Sequence, residues 1–145
     1  MHESHVELGA LGQFRAAGYI ARDGAEFVPD APSSERASYA DVMLAQRLRS
    51  AIKRLNPDLR SNVEQAFRCL SHLPHPSLVE NNRWLHSLLI DGIDVEYEDR
   101  HSGDTRGGRA RLIDFDAPSA NDFLVVRQFT VTGPSGKHIR PDLSV

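Results

Sequence analysis

The spacing of apolar residues changes at Gly92, and this change limits the possible folds more than any other feature of the sequence. Before Gly92 apolar residues recur at intervals of three and four, as on one face of a helix. After Gly92 they alternate with polar residues, as on one face of a strand. We therefore predict an α/β fold, in which a helical N-terminal half precedes a mixed β-sheet. The predicted helices are 6–18, 38–55, 59–73 and one from Leu78 that ends at Gly92.

The strand-forming half contains four segments that alternate or are rich in β-branched and aromatic residues. Polar, glycine-rich turns separate them, above all His101–Gly108 and Gly133–Gly136. The alternation of the last segment continues to Val145, and we expect the natural chain to extend further. The predicted strands are 93–98, 109–115, 123–131 and 138–145.

The length and composition fit one packed domain. We divide its 145 residues into a helical portion, 1–76, and a β-rich portion, 77–145. No apolar run is long enough to span a membrane, and the first residues do not resemble a secretory signal. The single cysteine, Cys69, excludes an internal disulfide bond and a multi-cysteine zinc module. A cytoplasmic location is the default expectation.

Charge is distributed unevenly along the chain although the total is only -3. Residues 36–68 carry seven basic and three acidic groups, and residues 100–145 carry seven and five. The two intervening zones, 1–35 and 69–99, are acidic. The basic zones could line a groove for a polyanion, but the charge pattern alone favours ordinary solvated surface.

Polar residues on the last predicted strand are the first candidates for chemistry. His138, Arg140 and Asp142 would share one face, because alternate residues of a strand point to the same side. Pro141 directly precedes Asp142 and could hold its carboxylate rigidly as a ligand for a divalent cation. A Pro-Asp pair is far more often a simple turn or strand entry, and the pattern alone favours that interpretation.

A longer set of motifs favours a functional interpretation of the Pro141-Asp142 pair. The sequence resembles the N-terminal nuclease domain of type I restriction endonuclease R subunits, and the resemblance covers nearly the whole chain. Upstream, residues 35–39 and Leu55-Asn56-Pro57 also resemble this family. Its most specific motifs, in chain order, are Asn82-Arg83-Trp84-Leu85-His86, Leu112-Ile113-Asp114-Phe115, Asn121-Asp122-Phe123, Gln128-Phe129-Thr130 and Arg140-Pro141-Asp142.

The resemblance implies a restriction-endonuclease-like sheet and a catalytic core of the PD-(D/E)xK type. Asp142 would be its first catalytic carboxylate and a Mg²⁺ ligand. Glu7 matches the place of an additional acidic helper on the first helix, although a solvated helix residue is the alternative. The Glu-x-Lys element of the core does not occur in these residues. We therefore expect a truncated core that is inactive by itself.

The resemblance also implies partners for the full-length subunit. These are duplex DNA, the methylase and specificity subunits, and ATP bound by a motor region outside this chain; no membrane partner is expected. The alternative function is a non-catalytic DNA-binding or subunit-assembly module, and a PD-(D/E)xK nuclease outside restriction is a third hypothesis. Candidate DNA contacts are the arginines of the β-rich portion: Arg106, Arg109, Arg111, Arg127 and Arg140.

Overall fold

A computed structural model describes residues 3–32, 34–59, 62–99 and 101–145, and the side chains from His5 onward. These residues form α-helices, one small mixed sheet and two antiparallel strand pairs, so the predicted α/β fold is confirmed. No helix within the described ranges is long and apolar enough to cross a membrane. The helices are α1 (Glu3–Ala16), α2 (Ala45–Leu55), α3 (Val63–Ser71) and α4 (Leu78–Asp91). The strands are β1 (Ile20–Asp23), β2 (Ile93–Glu98), β3 (Thr105–Ala110), β4 (Leu124–Arg127), β5 (Val131–Thr132), β6 (His138–Ile139) and β7 (Leu143–Ser144).

The chain divides into two compact units. The first joins Met1–Ala45 to Asp122–Val145, and the second is Gln46–Asn121. The predicted division of one packed domain at residue 76 follows a different boundary and stays a prediction.

A three-stranded mixed sheet organises the first unit. Strand β4 lies at its centre, parallel to β1 and antiparallel to β7. Val125 and Val126 of β4 are buried because both faces of this short strand are covered. Val126 packs with Phe27 and Phe129, whose rings meet edge to face with centroids 5.8 Å apart. The apolar core of this unit therefore lies directly beside the end of β4.

Arg36 ties the loop after β1 to the segment after β4. Its side chain is buried, and its Nε and NH2 groups donate to the carbonyl oxygens of Phe27 and Thr130, each at 2.6 Å. The guanidinium also lies 4.1 Å from the ring centroid of Phe129. Burial lowers the pKa of Arg36. Two carbonyls and the rings of Phe129 and Tyr39 replace part of the water that this cation loses, and its buried NH1 group has no hydrogen-bond partner among the described residues.

In the second unit the described residues form a hairpin and three α-helices. Strands β2 and β3 pair antiparallel, with buried Ile93 opposite buried Ala110. The inward and outward alternation of β2 is the one predicted. Helix α4 also follows the prediction, since it begins at Leu78 and ends before Gly92, whose φ is 81°. In the structure the Ser77 side chain caps its first turn. Buried Asn56 donates to the carbonyls of Ile52 and Arg111, which joins the end of α2 to the end of β3.

The prediction of one continuous strand over residues 138–145 is wrong. Two short strands replace it, and they pair with different partners: β6 with β5, and β7 with β4. Pro141 lies in the interruption and cannot donate a ladder hydrogen bond. His138, Arg140 and Asp142 therefore do not form one row on one strand face.

Other predicted boundaries also need correction. Helix α2 begins at Ala45, not Ser38, because Asp41 accepts the backbone N–H groups of Ala37 and Ser38 within a turn. Strand β3 begins at Thr105, inside the segment predicted as a turn, and ends at Ala110. Strand β4 ends at Arg127, four residues before the predicted end of 123–131. Beyond the boundaries, helical spacing also places His86 near the apolar face of the fourth helix and predicts a core position, which is wrong because His86 is exposed on α4.

An ion pair joins β1 to β4 where both strands end. Asp23 and Arg127 are register partners, and their side chains meet at 2.6 Å between Oδ2 and NH2. The backbone N–H of Ala25 and the Arg127 guanidinium hold the pKa of Asp23 below its usual value. The same contact raises the pKa of Arg127. The two side chains are 39% and 40% exposed, so solvent screens the pair, and its contribution to stability is that of a surface ion pair.

Gly24 should tolerate no side chain. A Cβ at this position would lie 2.2 Å from the carbonyl oxygen of Gln128, so Gly24→Ala forces the backbones apart. We expect it to lower the free energy of unfolding by about 1–3 kcal/mol in urea denaturation. The control is Gly12→Ala on α1, where no atom lies within 4 Å, and a gain of about 0.5–1 kcal/mol is expected there. Equal stability of Gly24→Ala and the wild type would contradict the close approach.

The Asp23–Arg127 pair should weaken in acid. The lowered pKa of Asp23 means that folding favours its ionised form, so its contribution is complete above the usual value of 3.8. That contribution is lost as pH falls through the lowered pKa. A double-mutant cycle of Asp23→Asn and Arg127→Gln should show a favourable coupling free energy at pH 7 that declines below pH 3.8. A coupling that does not change between pH 7 and pH 2 would exclude this account.

Candidate active site

Gln128 lies at the centre of the candidate site, directly after β4. Its backbone adopts φ 56°, the left-handed conformation that residues with a side chain rarely take. Its N–H donates to the carbonyl oxygen of Asp142 at 2.9 Å. The chain therefore turns sharply at Gln128 and is held to the segment that enters β7.

The side-chain amide of Gln128 contacts both predicted carboxylates. Its Nε2 donates to Asp142 Oδ1 at 3.0 Å and to Glu7 Oε1 at 3.3 Å. Glu7 comes from α1, and its side chain is 12% exposed, whereas Asp142 is exposed. The structure thus brings together two acidic residues that lie at opposite ends of the sequence.

Arg127 adds a positive charge beside this pair. Its Nε lies 3.8 Å from Glu7 Oε1, but its short contacts are with Asp23, at 2.6 and 3.1 Å. Arg127 is therefore mainly engaged in joining β1 to β4. The guanidinium of Arg127 nevertheless places a positive charge near the Glu7 carboxylate.

The donor set is suited to a hard divalent cation. Mg²⁺ prefers one or two carboxylates together with water and phosphate oxygens. Glu7 and Asp142 supply two such carboxylates, each within 3.3 Å of the same nitrogen atom. Among the described residues no group of three or more His, Cys, Asp or Glu side chains could hold a metal. The pair fits an open site that water and substrate would complete, and does not fit a closed structural site.

The candidate DNA-contacting arginines differ in how they are engaged. Arg106, Arg109 and Arg111 belong to the second unit and pair with Asp99, Asp94 and Asp114 at 2.9, 3.0 and 3.1 Å. The backbone N–H groups of His101 and Ala117 are the main cause of the lowered pKa of Asp99 and of Asp114, respectively. Those carboxylates thus organise turns as well as pairing with arginines.

Arg127 and Arg140 belong to the first unit. Arg127 is paired as described, whereas Arg140 is exposed and borders a small pocket with Tyr39, Thr130 and His138. Within the described ranges Arg140 is found in no ion pair. Of the five arginines, it is therefore the most available to an external anion.

Gln128 is the residue that inspection of the sequence missed. It lies inside the Gln-Phe-Thr motif, which supported the family resemblance but indicated no chemical role. Neither its left-handed backbone nor its two carboxylate contacts leave a signal in residue type or spacing. In the sequence Gln128 lies inside the predicted strand 123–131, so the pattern gave no reason to single it out.

Comparison with known proteins gives a consistent result. The whole chain, residues 1–145, matches the family described as the N terminus of the type I restriction enzyme R protein. A Methanocaldococcus jannaschii protein, provisionally named the MjaIXP endonuclease subunit of a type I restriction enzyme, is 31% identical over 97% of this chain. The HindI endonuclease subunit of a type I restriction enzyme from Haemophilus influenzae is 27% identical over 99% of the chain.

The matched region is a small part of those relatives. The chain spans 13% of the length of the archaeal protein and 14% of the length of the bacterial one. The comparison with solved structures finds no match. On the family match over its full length, this chain belongs to the family of type I restriction enzyme R protein N termini.

Proposed function

We propose that this chain is the N-terminal part of the DNA-cleaving domain of a type I restriction enzyme R subunit. The observation that carries the proposal is the single amide of Gln128 that binds both Glu7 and Asp142. These are the two carboxylates that resemblance to a PD-(D/E)xK core assigns to catalysis. Membership of the family supports the proposed type of domain independently of this geometry.

The proposed reaction is hydrolysis of a phosphodiester bond in duplex DNA. Glu7 and Asp142 would hold Mg²⁺ through their carboxylate oxygens. A cation bound by these residues would neutralise the negative charge of the scissile phosphate. The side chain of Asp142 is exposed and so accessible to a DNA strand. The side chain of Glu7 is mostly buried, and through it α1 contributes to the proposed site.

Cleavage would also need groups that these residues do not contain. No Glu-x-Lys sequence occurs in the 145 residues, and neither does a phosphate-binding loop of the Gly-x-x-x-x-Gly-Lys-Ser/Thr type. We propose that the catalytic lysine, the second core carboxylate and the ATP-driven motor belong to other parts of the full-length subunit. The isolated 145-residue chain would then be inactive.

DNA and the methylase and specificity subunits are the proposed partners. Arg140 is the arginine best placed for a phosphate contact, because it is exposed and adjoins Asp142 through Pro141. Arg106, Arg109, Arg111 and Arg127 would have to exchange a carboxylate for a phosphate in order to contact DNA. Because four of the five candidate arginines are paired with carboxylates, the structure offers few free cations for DNA. This supports a purely DNA-binding module less than it supports a nuclease.

Asp142→Ala in the full-length subunit should abolish DNA cleavage and leave ATP hydrolysis and DNA binding near wild-type levels. The reason is that a metal-ligating carboxylate acts on the chemical step, while the motor lies elsewhere. A linear-DNA gel assay in the reconstituted complex, with ATPase measured in parallel, provides the test. Asp58→Ala, at another exposed aspartate, is the control and should cut normally. Normal cleavage by Asp142→Ala would refute the proposed site.

The isolated chain should bind divalent cations only weakly. Two carboxylates with an incomplete ligand set leave most coordination positions to water. Isothermal titration of the 145-residue chain with Mg²⁺ or Mn²⁺ should therefore show no saturation at micromolar concentrations. A tight stoichiometric site would mean that the described residues already contain a complete ligand set, contrary to the proposal.

A further inference from the structure

We infer that Gln128 is the positioning residue of the nuclease site and that it holds Glu7 and Asp142 at one fixed spacing for a divalent cation. The inference rests on the proposed function of those two carboxylates. Gln128 acts through them and need not touch DNA. No motif in the sequence assigns this role to Gln128.

The chemistry of a primary amide suits this task. Its nitrogen carries two hydrogens, so it can donate one to each carboxylate, as the distances of 3.0 and 3.3 Å indicate. Two neighbouring carboxylates repel each other, and the amide offsets that repulsion without adding a positive charge. A lysine or arginine in its place would compete with the cation. Each carboxylate accepts one bond from Gln128 and keeps further lone pairs for a metal.

The backbone that carries this amide is fixed on both sides. The N–H of Gln128 donates to the Asp142 carbonyl, so the residue grips Asp142 through main chain and side chain together. On the opposite side Gly24 approaches the carbonyl oxygen of Gln128 more closely than any side chain would permit. The amide therefore starts from a rigid position between β1 and the segment entering β7.

The backbone conformation alone does not explain a glutamine. At φ 56° glycine and asparagine are the favoured residues, because other side chains crowd the following carbonyl. Glutamine accepts that unfavourable conformation here while its amide reaches two carboxylates. The side-chain contacts, and not the turn, account for the residue at this position.

Fixing two ligands before the cation arrives should strengthen cation binding. Groups that orient the ligands of a metal generally change the affinity of the site for that metal. If the bridge is lost, Glu7 and Asp142 can rotate independently, and their mutual repulsion separates them. The affinity of the site for the cation then decreases, and a high concentration of the cation should restore its occupancy.

Two substitutions separate the amide bridge from the turn. Gln128→Asn keeps an amide and favours the left-handed backbone, but its side chain is one methylene too short to bridge both carboxylates. Gln128→Gly removes the side chain and leaves the turn unstrained. Gln13→Asn makes the same chemical change at an exposed site on α1 and is the control. All are made in the full-length subunit, with folding checked by circular dichroism.

The first measurement is DNA cleavage by the reconstituted complex as a function of Mg²⁺ concentration. Both Gln128 variants should need about tenfold more Mg²⁺ for half-maximal cleavage, the effect typical of lost ligand orientation. Their rates at saturating Mg²⁺ should return to wild-type values. The Mg²⁺ dependence of ATP hydrolysis should stay unchanged and serves as the internal reference. Gln13→Asn should match the wild type throughout.

The second measurement does not depend on activity. Mn²⁺ is titrated into the subunit without ATP or DNA, and free Mn²⁺ is followed by electron paramagnetic resonance. The affinity lost in Asp142→Ala identifies the relevant site, and both Gln128 variants should weaken that site by about tenfold. A residue with a purely structural role would not change the Mn²⁺ affinity of a correctly folded subunit.

The outcomes separate the inference from the proposed function. Wild-type metal dependence in both Gln128 variants, together with an inactive Asp142→Ala, would overturn only the role of Gln128. A loss of cleavage that saturating Mg²⁺ does not restore would also overturn it, as would misfolding of Gln128→Gly, whose backbone is unstrained. Normal cleavage by Asp142→Ala would instead refute the proposed function, and the inference with it.

Discussion

The parallel pairing of β1 with β4 is the contact on which the candidate active site depends. It sets Asp23 opposite Arg127 in register, so that one ion pair joins the ends of both strands. The next residue of each strand then takes an unusual course: Gly24 enters a short 3-10 helix, and Gln128 turns into the left-handed region. Because Gly24 has no Cβ, the two backbones can meet there. The site is therefore built at a place where regular strand pairing stops.

Features that depend on neighbouring residues could be predicted from the sequence. Helix α4 has a helical pattern from Leu78 and a glycine stop, and both signals lie within the helix or directly after it. Strand β2 shows a strict alternation that matches its observed burial. Where the same residue types serve two structures, local reasoning failed. Ser38 and Asp41 are good capping residues, but here their side chains stabilise a turn before α2 begins.

The geometry of the candidate site could not be predicted, because it arises from distant pairings. Strand β1 is four residues long, too short for a periodic pattern, and its partner lies about a hundred residues later. The approach of Glu7 to Asp142 follows from that pairing and from the packing of α1, neither of which leaves a trace in spacing. Resemblance to a family could nominate both carboxylates separately. It could not show that one amide would bind the two of them.

The interruption at Pro141 completes the arrangement. Since proline donates no ladder hydrogen bond, the chain leaves β5 after Ile139 and joins β4 at Leu143. Asp142 falls in this change of partners, and its carbonyl therefore accepts the N–H of Gln128 while its carboxylate meets the Gln128 amide. One continuous strand would have placed Asp142 in a row with His138 and Arg140. The interruption at Pro141, which the alternating pattern did not predict, thus places Asp142 near Glu7.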